Sequence, residues 1–289
     1  MTDREKEELA RFIKAALAED VGDGDHTSQS TIPAGKTGTA RLLIKEQGIL
    51  AGVEEARAVL REVDNSLHVS VFIADGQPVQ PGEIVLQVDG KIHSILIAER
   101  LLLNIMQRMS GIATATRRIV DRLAGTKTRI LDTRKTTPLL RFLEKKAVRL
   151  GGGVNHRFGL YDMILIKDNH VDYAGGIGKA LEAANQYRKS FGRPLAVEIE
   201  VRNLNELQEV MNVGGVDRVM LDNFTPVQLR EALALIDGKC ITEASGGITE
   251  ENVRDYAETG VDYISIGALT HSVKSLDMSL KAKIVSCDS

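Results

Sequence analysis

Short apolar runs recur through the second half of the chain, and each run ends abruptly in a polar or glycine-rich segment. Between the runs, apolar residues recur at helical spacing; Leu229, Leu233 and Ile236, for example, fall at i, i+4 and i+7. Strands and helices that alternate at intervals of roughly 20–35 residues predict a parallel β-sheet. The six predicted strand segments are 129–135, 163–169, 195–201, 218–223, 241–247 and 263–269.

The positions of the polar residues distinguish between two parallel-sheet architectures. A doubly wound sheet has its site at one switch point, whereas a barrel carries chemistry at the carboxyl end of nearly every strand, as this sequence does. Six strands are fewer than the eight of a closed barrel. We therefore predict an α/β fold with an incomplete (β/α) barrel.

Side-chain alternation predicts which residues face into the barrel. Along 197–201, Glu198 and Glu200 share one face of the strand, and bare carboxylates are costly to bury under helices. Both glutamates are therefore expected to point into the barrel. The same parity predicts that Lys167, Asp222 and Ser245 point inward.

The first part of the chain follows a different pattern. A charged helix is predicted over about 4–19, then a polar loop, three strand-like segments and a long helix over about 97–123. Runs of strands with few intervening helices are typical of a smaller α+β domain. We therefore predict an N-terminal α+β domain over 1–112 and the barrel over 113–275, with the tail, about 276–289, free to return to the N-terminal domain.

Composition excludes several classes of protein. With 43% hydrophobic and 27% charged residues, the chain is globular rather than disordered. Its formal net charge of −3 gives no general attraction to nucleic acid, and no apolar run approaches the ~20 residues of a membrane span. The charged N-terminus is unlike a secretory signal, and Cys240 and Cys287 form no disulfide framework. We therefore expect a cytoplasmic enzyme without a nucleic-acid or membrane partner.

Basic residues are the first sign of a site. Arginine and lysine are the usual ligands of carboxylate and phosphate groups. One such residue alone is typical of a solvated surface, but five at one end of a barrel repel each other unless an anion lies among them. The pattern indicates a site for a polyanionic substrate. The five residues are Arg134, Lys135, His156, Arg157 and Lys167.

Two carboxylates and two glycine-rich segments extend this site. Glu200 and Asp222 end neighbouring strands and could hold Mg²⁺ through water, accept ribose hydroxyls or stabilise an oxocarbenium ion; a structural salt bridge to Lys167 is an equally good explanation. The segments 245–247 and 267–268 precede predicted helices, where main-chain N–H groups can approach a phosphate. Tight turns would also explain these glycines.

Motifs along almost the whole chain resemble those of the quinolinate phosphoribosyltransferase family, also called carboxylating nicotinate-nucleotide pyrophosphorylases. The motifs are EDVGDGDHTS (19–28), ERLLLNxxQRMSGIAT (99–114), TRKTTP (133–138), GGGxNHR (151–157), KDNH (167–170), VEIEV (197–201), LDNF (221–224), EASGGI (243–248) and SIGALTH (265–271).

The resemblance implies that the enzyme converts quinolinate and phosphoribosyl pyrophosphate to nicotinate mononucleotide, pyrophosphate and CO₂, with Mg²⁺ as cofactor, in de novo NAD biosynthesis. It also implies an N-terminal α+β open-sandwich domain, a partial barrel that carries the active site, and a homodimer with shared active sites. A larger assembly of such dimers, of hexameric type, stays open.

The resemblance further implies roles for individual residues. Residues that would hold the quinolinate carboxylates are Arg134, His156, Arg157, Lys167 and the partner subunit's Arg100. Lys135 would serve the pyrophosphate, and Glu200 and Asp222 would face the ribose and the magnesium ion. Residues near the 5′-phosphate would be Ser245, Gly246, Gly247, Gly267, Ala268 and Leu269. Thr133 completes the substrate-binding set, and the catalytic residues would be Lys135, Lys167, Glu200 and Asp222.

Three alternative functions stay open at this point. A related phosphoribosyltransferase-like enzyme, such as the molybdenum-associated relatives, would use a different acid substrate. A class I aldolase would use Lys167 as its Schiff-base amine, although a site that holds a dianion disfavours the neutral amine that this chemistry requires. A non-catalytic sugar-phosphate binder would need no paired acids at the sugar. The sequence identifies no general base.

Overall fold

The chain forms two compact units in a computed structural model that describes residues 3–283. Met1–Ala115, Pro138–Gly151 and Val273–Ser289 belong to unit 1, and Thr116–Thr137 and Gly152–Ser272 belong to unit 2. Cys287 lies outside the described residues. Among the residues that the structure describes, no helix is both long enough and apolar enough to cross a membrane.

Unit 1 combines helices with an antiparallel sheet, as predicted for an α+β domain. The sheet has the spatial order β12 (Met278–Ala282), β1 (Thr37–Ile44), β5 (Ile84–Lys91) and β3 (His68–Val71). A two-stranded sheet pairs β2 (Gly48–Ile49) with β4 (Pro78–Val79). The helices are α1 (Asp3–Val21), α2 (His26–Thr31), α3 (Val53–Val63), α5 (Arg141–Leu150) and most of α4 (Ile92–Arg122).

The hydrophobic pattern explains these elements. In β1, Ala40, Leu42 and Ile44 are buried and the residues between them are partly exposed, as expected of a strand with one face on a core. In α4, Leu101, Ile105 and Met109 recur at i, i+4 and i+8 and are all buried, so they form one apolar face of the helix.

Unit 2 is an open, all-parallel barrel, which confirms the predicted fold class. Its six strands have the spatial order β6 (Arg129–Leu131), β11 (Tyr263–Ser265), β10 (Ile241–Ser245), β9 (Arg218–Asp222), β8 (Val197–Val201) and β7 (Ile164–Ile166). The barrel is open between β6 and β7, which pair with each other nowhere in the described residues. The helices are α6 (Asp168–Ala174), α7 (Ile177–Ser190), α8 (Leu204–Val213), α9 (Pro226–Ile236), α10 (Val253–Ala257) and α11 (Ala268–His271).

Two local features differ from the sequence-based expectations. The predicted polar loop contains the short helix α2, whose Asp25 caps the main-chain N–H of Ser28; six polar residues carry no periodicity that would predict it. The segment 138–151, which the boundary at 113 assigned to the barrel, packs in unit 1 instead. There Glu144 of α5 is buried and pairs with Arg108 at 2.6 Å, a contact between residues distant in sequence.

Candidate active site

A pocket of about 660 Å³ lies at the carboxyl ends of the barrel strands, entirely within unit 2. It brings together the predicted site residues from all six strands of the barrel and their loops. The predicted residues that line it are Thr133, Arg134, Lys135, His156, Arg157, Lys167, Glu200, Asp222, Ser245, Gly246, Gly247, Gly267 and Ala268. Of the remaining two, Leu269 is buried in α11, and Arg100 is exposed on α4 in unit 1.

The turn after β6 holds Lys135 in the pocket. The main-chain N–H of Lys135 donates to Thr133 Oγ1 at 3.0 Å, and its carbonyl accepts from Thr270 Oγ1 at 2.8 Å. The Lys135 side chain passes close to Gly267, where an added Cβ would lie 3.0 Å from Lys135 Cδ. A side chain at position 267 would therefore displace the lysine from this path by a few tenths of an ångström.

Lys167, Glu200 and Asp222 form an acidic patch with one cation. Lys167 Nζ pairs with Glu200 Oε2, and the main-chain N–H of Lys167 donates to His170 Nδ1 at 3.0 Å. Burial and the charge of Glu200 raise the pKa of Asp222, although Lys167 acts in the opposite direction. Negative charge is thus concentrated where Glu200 and Asp222 meet, and the two carboxylates offer the oxygen ligands that Mg²⁺ prefers.

The turn after β10 is shaped by close packing of the main chain. Gly246 has φ +91°, and an added Cβ would lie 2.2 Å from Asn223 Oδ1. Asn223 itself has φ 58° and donates from Nδ2 to Asp222 Oδ2 at 2.7 Å. The glycines therefore bring the main chain of 245–247 against the acidic patch. The helix expected directly after them begins only at Val253, so its N-terminus does not follow the turn.

Arg134 and Arg157 bring two positive charges into the same pocket. Burial and the charge of Arg134 lower the pKa of Arg157, and the charges of Glu198 and Asp162 act in the opposite direction. Arg157 Nη1 also donates to the carbonyl of Met163 at 3.2 Å. An anion bound between the two guanidinium groups would relieve their mutual repulsion.

Four titratable side chains, two of which line the pocket, form a cluster that we call the buried ion cluster: His156, Glu198, Arg218 and Glu243. Both glutamates are 0% exposed, and Arg218 Nη1 lies 2.9 Å from Glu243 Oε2. His156 Nε2 lies 3.0 Å from Glu198 Oε2 and 3.4 Å from Glu243 Oε2. Burial and the charge of Glu243 raise the pKa of Glu198. Burial also acts to raise the pKa of Glu243, but the hydrogen bonds from His156 and Ser265 and the charge of Arg218 outweigh it and lower that pKa.

The buried ion cluster has the residue types of a metal site but also contains its own cation. Ligand atoms of His156, Glu198 and Glu243 all lie within 4.8 Å of one another. A metal ion there would have to share Glu243 with the Arg218 guanidinium, which also stacks 4.8 Å from the centre of the Tyr263 ring. We therefore assign the four residues to an ion-pair network rather than to a metal centre.

Protein groups contact both nitrogens of the His156 ring. Nε2 faces the two carboxylates, and Nδ1 accepts the main-chain N–H of Arg157 at 2.8 Å. Burial lowers the pKa of His156, and the carboxylates act more strongly to raise it. The hydrogen bond from the main-chain N–H of Arg157 opposes that increase in pKa. In an imidazolium, Nδ1 would carry a proton of its own, and the two N–H groups would face each other. We take this contact as decisive and assign the neutral ring with its proton on Nε2.

The sequence pattern missed several residues of the buried ion cluster and the pocket. Parity predicted that Glu198 faces inward, which its contact with His156 confirms, but no role followed from it. Glu243 shares the parity of Ser245, and Arg218 that of Asp222, so alternation carries a signal for both. Asp132, which directly follows β6, is fully buried and also lines the pocket.

Comparisons with known proteins match both parts of the chain to one family. Residues 25–110 match the family model described as quinolinate phosphoribosyl transferase, N-terminal domain. Residues 112–281 match the model for the C-terminal domain of the same family.

Curated relatives cover most of the chain. A Nicotiana tabacum protein named quinolinate phosphoribosyltransferase (decarboxylating) 2b, mitochondrial, is 47% identical over 95% of this chain and 82% of its own length. An Arabidopsis thaliana protein named nicotinate-nucleotide pyrophosphorylase (carboxylating), chloroplastic, is 46% identical over the same shares of the two chains. A Bacillus subtilis protein, a probable nicotinate-nucleotide pyrophosphorylase (carboxylating), is 43% identical over 94% of this chain and 93% of its own.

Solved structures share the fold. The nicotinate-nucleotide pyrophosphorylase of Francisella tularensis matches with a TM-score of 0.90 and 39% identity over 96% of both chains. NadC from Streptococcus pyogenes matches with a TM-score of 0.92 and 38% identity over 97% of this chain and 98% of its own.

The names of the relatives correct one expectation. The sequence predicted a cytoplasmic protein, whereas the tobacco relative is named mitochondrial and the Arabidopsis relative chloroplastic, so the cytoplasmic prediction is wrong. The prediction rested largely on composition and cysteine content. Composition and cysteine content are properties of the folded domains, and related proteins share them in different compartments.

Both family models, relatives at 43–48% identity and closely similar solved structures agree with the geometry of the pocket. The chain belongs to the quinolinate phosphoribosyltransferase family, and it is a phosphoribosyl-transferring enzyme of NAD biosynthesis that acts on quinolinate.

Proposed function

We propose that the pocket of unit 2 is the site at which this enzyme joins quinolinate to the phosphoribosyl group and releases CO₂ and pyrophosphate. The main support for the proposal is that several cationic side chains and the two carboxylates of Glu200 and Asp222 line the same pocket. Quinolinate has two carboxylates, and phosphoribosyl pyrophosphate has a phosphate and a pyrophosphate, so the two substrates together need several cations. The cations that line the pocket are Arg134, Lys135, Arg157 and Lys167.

Arg134, Arg157 and Lys167 are suited to the carboxylates of quinolinate. The lowered pKa of Arg157, caused by burial and by Arg134, favours an anion between the two guanidinium groups. Bidentate pairing with a carboxylate would fix the orientation of the pyridine ring. Lys167 pairs with Glu200 in this structure, and we propose that it turns to the substrate when quinolinate binds. His156 lines the same end of the pocket.

Glu200 and Asp222 are suited to the ribose. Transfer breaks the bond between the anomeric carbon and the pyrophosphate oxygen and forms a bond from that carbon to the ring nitrogen. Positive charge develops on the sugar as this happens, and nearby carboxylates stabilise it. The same two residues would hold Mg²⁺, which supplies positive charge to the leaving pyrophosphate when bound.

Loss of CO₂ follows from the charge on the new pyridinium. The bond between the ring carbon and the adjacent carboxylate breaks, its electron pair stays next to the ring cation, and a proton from water replaces the CO₂. We assign no protein acid or base to this step.

The phosphate groups are assigned to the turns at the strand ends. Lys135, which the Thr133 and Thr270 contacts hold at the pocket, is suited to the pyrophosphate. The main chain of Ser245–Gly247 and of Gly267–Leu269 is suited to the 5′-phosphate, since glycines allow the N–H groups to approach an anion closely.

We further propose that two copies of the chain share their sites. The partner subunit's Arg100 would then supply an additional cation for a quinolinate carboxylate. In support, Arg100 is exposed on α4, while Leu101, Ile105 and Met109 of the same helix are buried. Two-fold pairing would form two composite sites per dimer.

The direct test measures pyrophosphate and CO₂ released from quinolinate and phosphoribosyl pyrophosphate, with nicotinate as the control substrate. We expect turnover of quinolinate only, because nicotinate lacks the second carboxylate and leaves a buried cation unpaired. Comparable turnover of nicotinate would contradict the assignment of the cations. The aldolase alternative gains no support, since Lys167 is ion-paired to Glu200.

A further inference from the structure

The open edge of the barrel is where the arginine-bearing segments meet. Val154 forms a parallel bridge with Leu131, its N–H donates to the carbonyl of Ile130 at 2.8 Å, and its carbonyl accepts from Asp132 N at 3.2 Å. A short segment thus continues the sheet beyond β6. The same segment runs on directly to Arg157, while β6 runs on directly to Arg134.

We propose that Asp132 is a positioning residue for quinolinate binding: its buried carboxylate ties the segment 155–157 to the end of β6, so that Arg157 and Arg134 face one ligand. This inference rests on the proposed function of the pocket. In the proposed reaction Asp132 contacts neither the anomeric carbon nor the ring nitrogen, so its role is indirect.

Both oxygens of the Asp132 carboxylate accept hydrogen bonds. Oδ1 accepts the main-chain N–H of His156 at 2.9 Å, and Oδ2 accepts from Asn155 Nδ2 at 2.5 Å. Asp132 is 0% exposed, and a buried carboxylate is stable only when its oxygens are hydrogen-bonded or paired. The two contacts therefore stabilise the carboxylate and fix the segment at the same time.

The other side of the segment is held by the buried ion cluster. The His156 ring is anchored through Nε2 on Glu198, and its Nδ1 accepts the main-chain N–H of Arg157. Asp132 holds the main chain of His156, and the buried ion cluster holds its ring. Between these anchors the Arg157 backbone has little freedom, so its guanidinium enters the pocket from a defined point.

An effect of the Asp132 charge on the arginines is the alternative to the positioning role. Burial and the charge of Arg134 lower the pKa of Arg157. If the Asp132 carboxylate acted through its charge alone, it would do so by offsetting the repulsion between the two guanidinium groups before the substrate binds. The positioning role and the charge effect predict different results for two substitutions of Asp132.

The test compares Asp132→Ala with Asp132→Asn by steady-state kinetics. In Asp132→Ala both hydrogen bonds are lost, and we expect the KM for quinolinate to rise at least ~10-fold while the KM for phosphoribosyl pyrophosphate stays within about twofold. In Asp132→Asn the amide oxygen still accepts from His156 N, and Asn155 can flip to accept from the new amide. We therefore expect the asparagine variant to stay within about threefold of the parent enzyme.

Two further variants keep the test decisive. Asp262 also accepts two hydrogen bonds, from Thr242 N at 3.0 Å and Thr242 Oγ1 at 2.8 Å, but at the opposite ends of the strands. Asp262→Ala should lower the Tm without changing the KM for quinolinate.

Asn155→Ala removes the partner of Asp132 Oδ2 and leaves Asp132 in place. This variant should raise the KM for quinolinate about threefold, and it provides a test even if Asp132→Ala does not fold.

The proposal is overturned if Asp132→Ala changes only the Tm, as the Asp262 control does, or raises both KM values equally. Loss of quinolinate binding in Asp132→Asn equal to that in Asp132→Ala would show that the charge matters and the positioning does not. If the parent enzyme released no CO₂ from quinolinate, the proposed function itself would fail, which is a separate outcome.

Discussion

Replacing Glu243 with glutamine should destabilise unit 2 strongly, although the two side chains have nearly the same volume. Glu243 is 0% exposed and faces Arg218 at 2.9 Å and His156 at 3.4 Å. Removal of one partner of a buried ion pair typically costs about 3–5 kcal/mol, because the other charge stays buried without compensation. Arg218 is 18% exposed and can recover some hydration, so we expect about 3 kcal/mol.

The measurement is thermal and urea-induced unfolding followed by circular dichroism. For a folding unit of this size, about 3 kcal/mol corresponds to a decrease in Tm of about 6–12 °C. The matched control is Glu258→Gln, which removes the partner of Arg254 in an exposed ion pair. Exposed pairs of this kind contribute little, so its Tm should stay within experimental error.

A second variant separates the ion pair from simple packing. If the cost arises from an uncompensated charge, changing Arg218→Met together with Glu243→Leu should recover much of the lost stability. The reasoning is refuted if Glu243→Gln costs less than about 1 kcal/mol, or if the double variant is less stable than the single one.

The remaining predictions concern the pocket and the dimer. Lys135→Ala and Lys167→Ala should each reduce kcat/KM at least ~100-fold with an unchanged Tm, the loss expected when a charged contact of about 3 kcal/mol to the substrate is removed. Early melting with near-normal activity would instead assign that lysine a structural role. Mixed chains of Arg100→Ala and Lys135→Ala, each inactive alone, should regain roughly a quarter of the parent activity after subunit exchange, because half of the dimers carry one intact site of two. If verified exchange restores no activity, Arg100 does not act across the subunit interface.

Local pattern was sufficient to predict the elements that carry the site. All six barrel strands lie within the predicted segments, and the parity argument that turned Glu198 and Glu200 inward is confirmed by their contacts with His156 and Lys167. Alternation is a strong signal because a shift of one residue would place carboxylates under the outer helices. The motifs predicted the family, which the comparisons confirm.

The features that were missed depend on contacts between residues distant in sequence. Alternation indicates that Arg218 and Glu243 face inward, but it does not show that they pair with each other across neighbouring strands. The segment 138–151 has helical spacing typical of a barrel helix, but contacts such as those with Arg108 and Glu55 place it in unit 1. The role of Asp132 likewise depends on its hydrogen bonds to Asn155 and His156, which the local sequence does not predict.

The pairing of β12 with β1 has a consequence for the order in which the chain folds during synthesis. Leu280 lies opposite Leu42 in the sheet of unit 1, so a strand synthesised after the barrel completes a sheet whose first strand precedes the barrel in the chain. Until the ribosome releases β12, β1 is paired only with β5 and remains an edge strand, and such edges are prone to association with other chains. All strands of unit 2 are synthesised earlier, so the barrel can mature first. Nascent chains that stop before Met278 would therefore present a formed catalytic barrel beside an unfinished N-terminal sheet.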